Sequence, residues 1–237
     1  MNFPSVVSQI HNKTRKQQMS NPQPSAAPLV LTPSERVLVF GDRFSTPAGM
    51  LGYSEVVLSS GNKVDADRLA QNVFAAAFLA NEQAGAIGLE LRQGKAMFGL
   101  MKTQKLHAVP GAKQVGWPQG SLEAVIAASV QQQPKVDDLV GGILGQKSNS
   151  PAQRICGQAK AALAARGVLH AEEKKTLKVF TSVAYSLPDA ARAAAEQTGA
   201  AHVEQMLRAC EQQRPQLWVE LIRGIKAGIT WMTESND

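Results

Sequence analysis

The sequence predicts a mainly α-helical protein, a single helical domain around a central helix bundle with two short β-hairpins. Alanine is abundant in the 237 residues, and aromatic residues make up only 5% of the chain. This composition favours closely packed helices over a large sheet. Capping residues, prolines and glycines mark the helix ends, and two of these glycines are followed by a hairpin pattern. No apolar run reaches the roughly 20 residues of a membrane-spanning helix.

The first 28 residues are predicted to form a disordered basic arm. They are rich in Asn, Gln, Pro and Ser and show no sustained hydrophobic period, so they offer too little apolar surface to order a chain. Their basic residues are Lys13, Arg15 and Lys16. An organelle transit peptide is the alternative to a solvated tail. We do not expect a secretory signal, because the basic cluster follows the apolar stretch.

The helical domain is predicted over residues 29–237 and begins at a well-marked helix start. In LTPSERVLVF, Thr32 is the N-cap, Pro33 occupies the first helical position and Glu35 completes a capping box. Further helices are predicted in DADRLAQNVFAAAFLANEQAG, SLEAVIAASVQQQ, VDDLVGGIL and SPAQRICGQAKAALAARG, and near residues 188–198, 200–213 and 215–227. Gly85 and Gly167 are predicted to end two of these helices in the left-handed conformation.

The two predicted hairpins follow these glycines. FLANEQAGAIGLELRQGKAMFGL and ALAARGVLHAEEKKTLKVFTS share the order helix, glycine, apolar pair, polar turn and basic-apolar strand. The pattern predicts turns at Gly94–Lys95 and at Lys174–Lys175. In the second hairpin, Leu177, Val179 and Phe180 alternate loosely with Lys178, as in a half-buried strand. An internal repeat and a common helix–glycine–hairpin arrangement both explain the likeness.

Motifs of enzymes and cofactor sites are not recognised. GLELRQGKA has five residues between its glycines where a phosphate loop has four, and Ala96 replaces the required Ser or Thr. The four histidines lie on separate segments, without metal-site spacing. Cys156 and Cys210 are interpreted as two buried thiols in a reducing compartment. We therefore expect no enzyme activity, no cofactor and no metal.

Basic residues are concentrated in one helix–hairpin unit. Three of the 25 basic residues lie in the first 34 residues, which contain no acid, so the remainder carries 22 basic against 19 acidic residues. Residues 150–192 contain seven basic and three acidic residues. At about 1 kcal/mol per charge on an anionic surface, this unit alone gives only about millimolar affinity. A headgroup pocket, an inserted apolar tip or several copies would have to add to it.

The order of four segments resembles the Golgi phosphoprotein 3 family over residues 29–192. These segments are LTPSERVLVF, AFLANEQAGAIGLE, WPQGSLEAVI and ALAARGVLHAEEKKTLKVFTSVAYSLPDAA. The resemblance implies a non-enzymatic peripheral membrane protein that binds phosphatidylinositol 4-phosphate and acts as an adaptor. It implies a cytoplasmic location on a membrane, at the Golgi if the cell is eukaryotic, and members also occur in bacteria.

The resemblance also implies where the lipid site lies. The family uses a tryptophan and an arginine near its early helix, and two arginines in the helix before the Gly-Val-Leu segment. Ungapped matching places Asp65, Phe74, Gln153 and Cys156 at these positions. None is of the expected type, so the neighbouring basic residues Arg154, Lys160, Arg68 and Lys63 are the predicted lipid-binding residues.

The predicted partner is an anionic phospholipid or phosphoinositide membrane surface. Lys174, Lys175, Leu177 and Phe180 are predicted to form a hairpin that contacts the membrane or a second copy of the chain. Two alternatives remain, a winged-helix-like nucleic-acid binder and a self-associating assembly protein without a lipid role. The helix before the hairpin contains AKAALAA, which is typical of a packed helix and disfavours nucleic-acid recognition.

Overall fold

Nine helices and three two-stranded antiparallel sheets occupy the residues that the computed structural model describes, which are 31–49, 54–96, 101–176 and 180–233. The helices are α1 (Pro33–Val39), α2 (Gly41–Phe44), α3 (Ala66–Ala84), α4 (Leu122–Ser129), α5 (Val136–Leu144), α6 (Pro151–Ala165), α7 (Asp189–Thr198), α8 (Ala200–Gln213) and α9 (Pro215–Trp231). The hairpins are β1 (Glu55–Val57) with β2 (Lys63–Asp65), β3 (Ile87–Ala96) with β4 (Met101–Pro110), and β5 (His170–Thr176) with β6 (Phe180–Ser186). The predicted helix-rich fold is confirmed.

Local sequence signals set the helix ends. The Glu35 carboxylate accepts the Thr32 backbone N–H at 2.9 Å, which is one half of the predicted capping box. Asp65 caps α3 by accepting the backbone N–H of Arg68 at 2.7 Å. Gly85 and Gly167 have φ angles of 77° and 74°, so both adopt the left-handed conformation that ends a helix.

The two predicted turn positions are wrong. Gly94 and Lys95 pair with Thr103 and Lys102 inside the β3–β4 ladder. Lys174–Lys175 likewise pairs within the β5–β6 ladder, opposite Thr181 and Ser182. Backbone pairing across a long antiparallel ladder satisfies many donors and acceptors at once, which outweighs the turn preference of one glycine or a polar pair. The turns themselves lie outside the described residues.

A third hairpin, β1–β2, was not predicted from the sequence. Val56 pairs with Val64, and both valine side chains are buried. Gly61, with a φ of 87°, lies in the connecting turn. Each strand has only three residues, too few for an alternating pattern to be distinguished from a loop.

Helix α3 is buried along most of its length. Phe74 and Phe78 have no exposed surface, and the run Ala75–Ala77 between them is fully buried as well. The helix contacts α1, α2, α4, α6, α8 and α9. Alanine side chains allow neighbouring helices to approach α3 on several sides, which explains the alanine-rich and aromatic-poor composition.

Helices α5 and α9 meet at glycines. A Cβ atom on Gly228 would lie 2.7 Å from the Asp137 carbonyl oxygen and 2.7 Å from Val140 Cβ. A Cβ atom on Gly224 would lie 3.0 Å from a Val136 methyl group. A side chain at Gly228 would therefore displace α5, whereas one at Gly224 would require a smaller shift of Val136.

A buried polar cluster joins α1, α4 and the end of α6. The Glu123 carboxylate accepts the Ser34 backbone N–H and the Ser34 hydroxyl, both at 2.8 Å. Burial raises the pKa of Glu123 above its ordinary value of 4.5, and the hydrogen bonds from Ser34 oppose that shift. Nearby, Arg166 forms an ion pair with Glu35. These contacts fix the orientation of α1 on the rest of the helices.

Within the described part of the chain, no helix combines the length and apolar character that crossing a bilayer would require.

Candidate functional site

A cavity of about 820 Å³ opens between α6, the β1–β2 hairpin and the β5–β6 hairpin. Helix α6 lines it with Gln153, Cys156, Gly157 and Lys160. Gln153 and Lys160 each lie three or four residues from Cys156 and Gly157, so the four positions share one side of the helix. We call this space the α6 cavity.

Side chains of α6 that are buried in the core hold the helix in place. Ile155 and Leu163 are buried in the hydrophobic core, and Pro151 occupies the first helical position. Gly167 then ends the segment and lets the chain turn directly into β5. Helix α6 thus supplies one wall of the α6 cavity, and its end fixes where the β5–β6 hairpin begins.

Lys160 is the buried cation of the α6 cavity. The residue is only 8% exposed, and its ammonium group donates a hydrogen bond to the carbonyl oxygen of Val57. It forms no ion pair with any side chain that the structure describes. Burial lowers the pKa of Lys160, because desolvation disfavours the charged amine. An ammonium has three donors, so the group retains unused capacity to bind an anion.

Cys156 lies beside Lys160 on α6 and is fully buried. Burial raises the pKa of the Cys156 thiol to about 12, although the nearby Lys160 charge acts in the opposite direction. A neutral thiol is a poor nucleophile and metal ligand. Cys156 therefore packs as a small apolar side chain, and Cys210 is buried as well.

The rim of the α6 cavity is apolar on two sides. Val57 is 50% exposed and Val183 is 47% exposed, and both line the cavity. They are two of the five large hydrophobic side chains that the described residues leave exposed. An apolar rim beside a buried cation gives the site an amphipathic character.

Two carboxylates also line the α6 cavity, Glu55 and Glu172. Glu55 is held by Lys63, whose ammonium nitrogen lies 2.7 Å from the carboxylate. Glu172 is exposed and forms no ion pair with a side chain that the structure describes. The lining therefore carries one buried cation and one free carboxylate.

The four predicted lipid-binding residues do not form one cluster. Lys160 lines the α6 cavity, and Lys63 lies next to it through Glu55. Arg154 lies on another side of α6, where its guanidinium donates to the carbonyl oxygen of Gln146 at 3.0 Å. Arg68 is exposed and lines a separate groove beside α2 and α8.

The predicted hairpin residues are described only in part. Lys174, Lys175 and Phe180 lie at the paired ends of β5 and β6, and Leu177 lies outside the described residues. Their contact with a membrane or a second copy stays a prediction. The same hairpin contributes Glu172 and Val183 to the α6 cavity.

The four positions that the resemblance assigned to the lipid headgroup do not lie together in the structure. Gln153 and Cys156 line the α6 cavity, whereas Asp65 caps α3 and Phe74 is buried in the core. Val57 and Val183 were not identified as site residues from the sequence. Val183 follows the alternation of a strand, but nothing local shows that β1 lies against α6.

Among the described residues, no group of His, Cys, Asp and Glu side chains is arranged to hold a metal ion.

No protein-family model matches the chain, and no curated protein is significantly similar to it. Membership of the Golgi phosphoprotein 3 family therefore stays a prediction, and the geometry of the α6 cavity is the basis for a functional proposal.

Proposed function

We propose that this protein is a non-enzymatic peripheral membrane protein that associates with an anionic membrane surface and binds the phosphate group of a membrane phospholipid in the α6 cavity. The observation that carries the proposal is the buried Lys160 ammonium in a cavity whose rim exposes Val57 and Val183. The buried cation provides a site for the phosphate, and the apolar rim provides a surface for the start of the acyl chains.

A phosphate oxygen supplies what Lys160 lacks. A buried charge without a counter-ion is costly, and a hydrogen bond that involves a charged group stabilises by about 1.5–3 kcal/mol. Phosphate in the α6 cavity would accept from the donors that the Val57 carbonyl leaves unused. An anionic ligand thus removes a cost that the unliganded protein carries.

The rim and the basic helix–hairpin unit add to this contact. Burying two half-exposed valines contributes about 1 kcal/mol each. Of the seven basic residues in 150–192, Lys160 is already counted in the headgroup contact and Arg166 is paired with Glu35. The remaining net charge of +2 contributes about 2 kcal/mol on an anionic surface. With the headgroup contact, these contributions total about 5.5–7 kcal/mol, which corresponds to a dissociation constant of about 10–100 μM.

The proposal includes the finer architecture and the adaptor role that the resemblance implies. Burial of α3 among six other helices supports a helical domain built around a central bundle. Gln153 and Cys156 in the wall of the α6 cavity support a lipid site at the position where the family has one. A cytoplasmic protein that associates with a membrane surface, in which the β5–β6 hairpin takes part, completes the proposal.

Lys160→Met is expected to weaken vesicle binding about tenfold or more, because it removes the charge and keeps the length and apolar stem of the side chain. Flotation with phosphatidylcholine vesicles that contain phosphatidylserine measures the bound fraction. Lys226→Met is the matched control, since Lys226 is an exposed lysine on α9 and its loss changes the net charge equally. Thermal unfolding verifies that both variants fold.

Equal binding by the Lys160 and Lys226 variants would contradict the assignment of the α6 cavity. Absence of binding by the wild-type protein to any phospholipid vesicle at low salt would contradict the membrane function itself.

A further inference from the structure

We propose that the α6 cavity selects a phospholipid headgroup that carries a primary ammonium group next to its phosphate diester, as ethanolamine and serine headgroups do. This inference rests on the proposed function and names the ligand class of the same site. It follows from the charges that line the cavity.

The α6 cavity has a limited capacity for negative charge. Lys160 is the cation among its described lining residues, and Glu55 and Glu172 face the same space. A phosphate diester carries one negative charge and matches the single ammonium. A phosphoinositide monophosphate adds a monoester of about −1.5 to −2 charge near neutral pH, and this group would face carboxylates in place of further cations.

Glu172 is the group that a ligand cation would meet. Glu55 is already paired with Lys63 at 2.7 Å, whereas Glu172 has no ion-pair partner among the described side chains. It lies on β5, Lys160 lies on α6, and both residues line the α6 cavity. A headgroup with phosphate at one end and ammonium at the other offers an anion to Lys160 and a cation to Glu172.

A primary ammonium fits this arrangement better than a choline group. An ammonium donates three hydrogen bonds, so it can form a charge-assisted hydrogen bond with the Glu172 carboxylate. A quaternary amine has the same charge but no N–H donor. The α6 cavity is therefore expected to distinguish ethanolamine from choline even though both headgroups have the same net charge.

A comparison of four lipids distinguishes the effect of the headgroup ammonium on binding from the effect of the net charge. Vesicles of phosphatidylcholine are compared with vesicles in which part of that lipid is replaced by phosphatidylethanolamine, phosphatidylserine or phosphatidylglycerol, and a fifth set contains phosphatidylinositol 4-phosphate. We expect ethanolamine to bind about fivefold more tightly than choline. Serine should exceed glycerol by a smaller factor, because the serine carboxylate adds a second negative charge to a cavity that already contains Glu55 and Glu172. If the α6 cavity binds the ethanolamine and serine lipids, the Lys160→Met variant should lose binding to both.

Glu172→Gln tests the residue that makes the distinction. The substitution is expected to remove the fivefold preference and to improve binding to phosphatidylglycerol, because it removes a negative charge from the α6 cavity. Glu173→Gln is the matched control. Glu173 is an exposed neighbour on β5 that does not line the α6 cavity, and this variant is expected to keep the preference.

Binding that follows net charge, or that is tightest for phosphatidylinositol 4-phosphate, would overturn the ammonium selectivity and leave the proposed membrane function standing. A preference that survives in Glu172→Gln would also overturn it. Absence of binding to all five vesicle types would overturn both proposals.

Discussion

Replacing Glu123 by alanine is expected to lower the free energy of unfolding by about 3–5 kcal/mol. The side chain is fully buried and accepts both the backbone N–H and the hydroxyl of Ser34. Its removal leaves two buried donors without a partner, at a cost of about 1–3 kcal/mol each, and creates a cavity. Urea unfolding at neutral pH, followed by circular dichroism, measures the change.

Glu123→Gln separates the charge of this residue from its shape. Glutamine retains the volume and one acceptor oxygen, so we expect a loss smaller than that of the alanine variant. Because burial raises the pKa of Glu123, the folded wild-type protein binds a proton more tightly than the unfolded chain does. The wild-type free energy of unfolding should therefore gain a contribution as pH falls through the folded-state pKa toward 4.5.

The Gln variant should lack this contribution, so its stability relative to the wild type should be greatest at neutral pH and smallest at about pH 4.5. Parallel pH profiles of the two proteins, or an alanine variant as stable as the wild type, would contradict the role assigned to Glu123.

Gly228→Ala is expected to destabilise the protein by about 2–3 kcal/mol through overpacking. The new methyl group would lie 2.7 Å from Val140 Cβ and from the Asp137 carbonyl oxygen. Neither neighbour is the flexible end of a side chain, so α5 and α9 would have to separate. The midpoint of thermal or urea unfolding measures the loss.

The same substitution in α6 is the control. A Cβ atom on Gly157 meets no heavy atom within 4 Å, and alanine is a better helix former than glycine by about 1 kcal/mol. Gly157→Ala should therefore leave stability unchanged or raise it. Equal destabilisation by the two substitutions would show that helix propensity or general sensitivity to change, and not close packing, dominates at Gly228.

The helix boundaries were predictable because the interactions that set them are local. Thr32 with Glu35, Asp65 with the N–H of Arg68, and the left-handed glycines after α3 and α6 all act within a few residues. A capping residue has the same effect in a peptide and in a folded protein. Sequence patterns therefore located eight of the helices and the two longer hairpins of the described chain.

The turn positions and the α6 cavity depend on contacts that are distant in sequence. Lys160 meets the Val57 carbonyl across 103 residues, and Ser34 meets Glu123 across 89. Charge alone placed Arg154 and Arg68 beside Lys160 in one predicted site, yet only the packing of β1 against α6 distinguishes a buried ammonium from an exposed guanidinium. No periodicity in one segment contains that information.

Cys156 gives the α6 cavity an internal reporter. The thiol is fully buried, and burial raises its pKa to about 12, so a thiol reagent reaches it only when the packing around α6 opens. In a Cys210→Ala background it is the sole thiol of the chain, and its labelling rate then measures how often the cavity opens. Headgroup binding should slow this labelling, and Lys160→Met should remove the protection by ligand. The labelling rate of Cys156 therefore reports ligand binding without any need to separate vesicles from free protein.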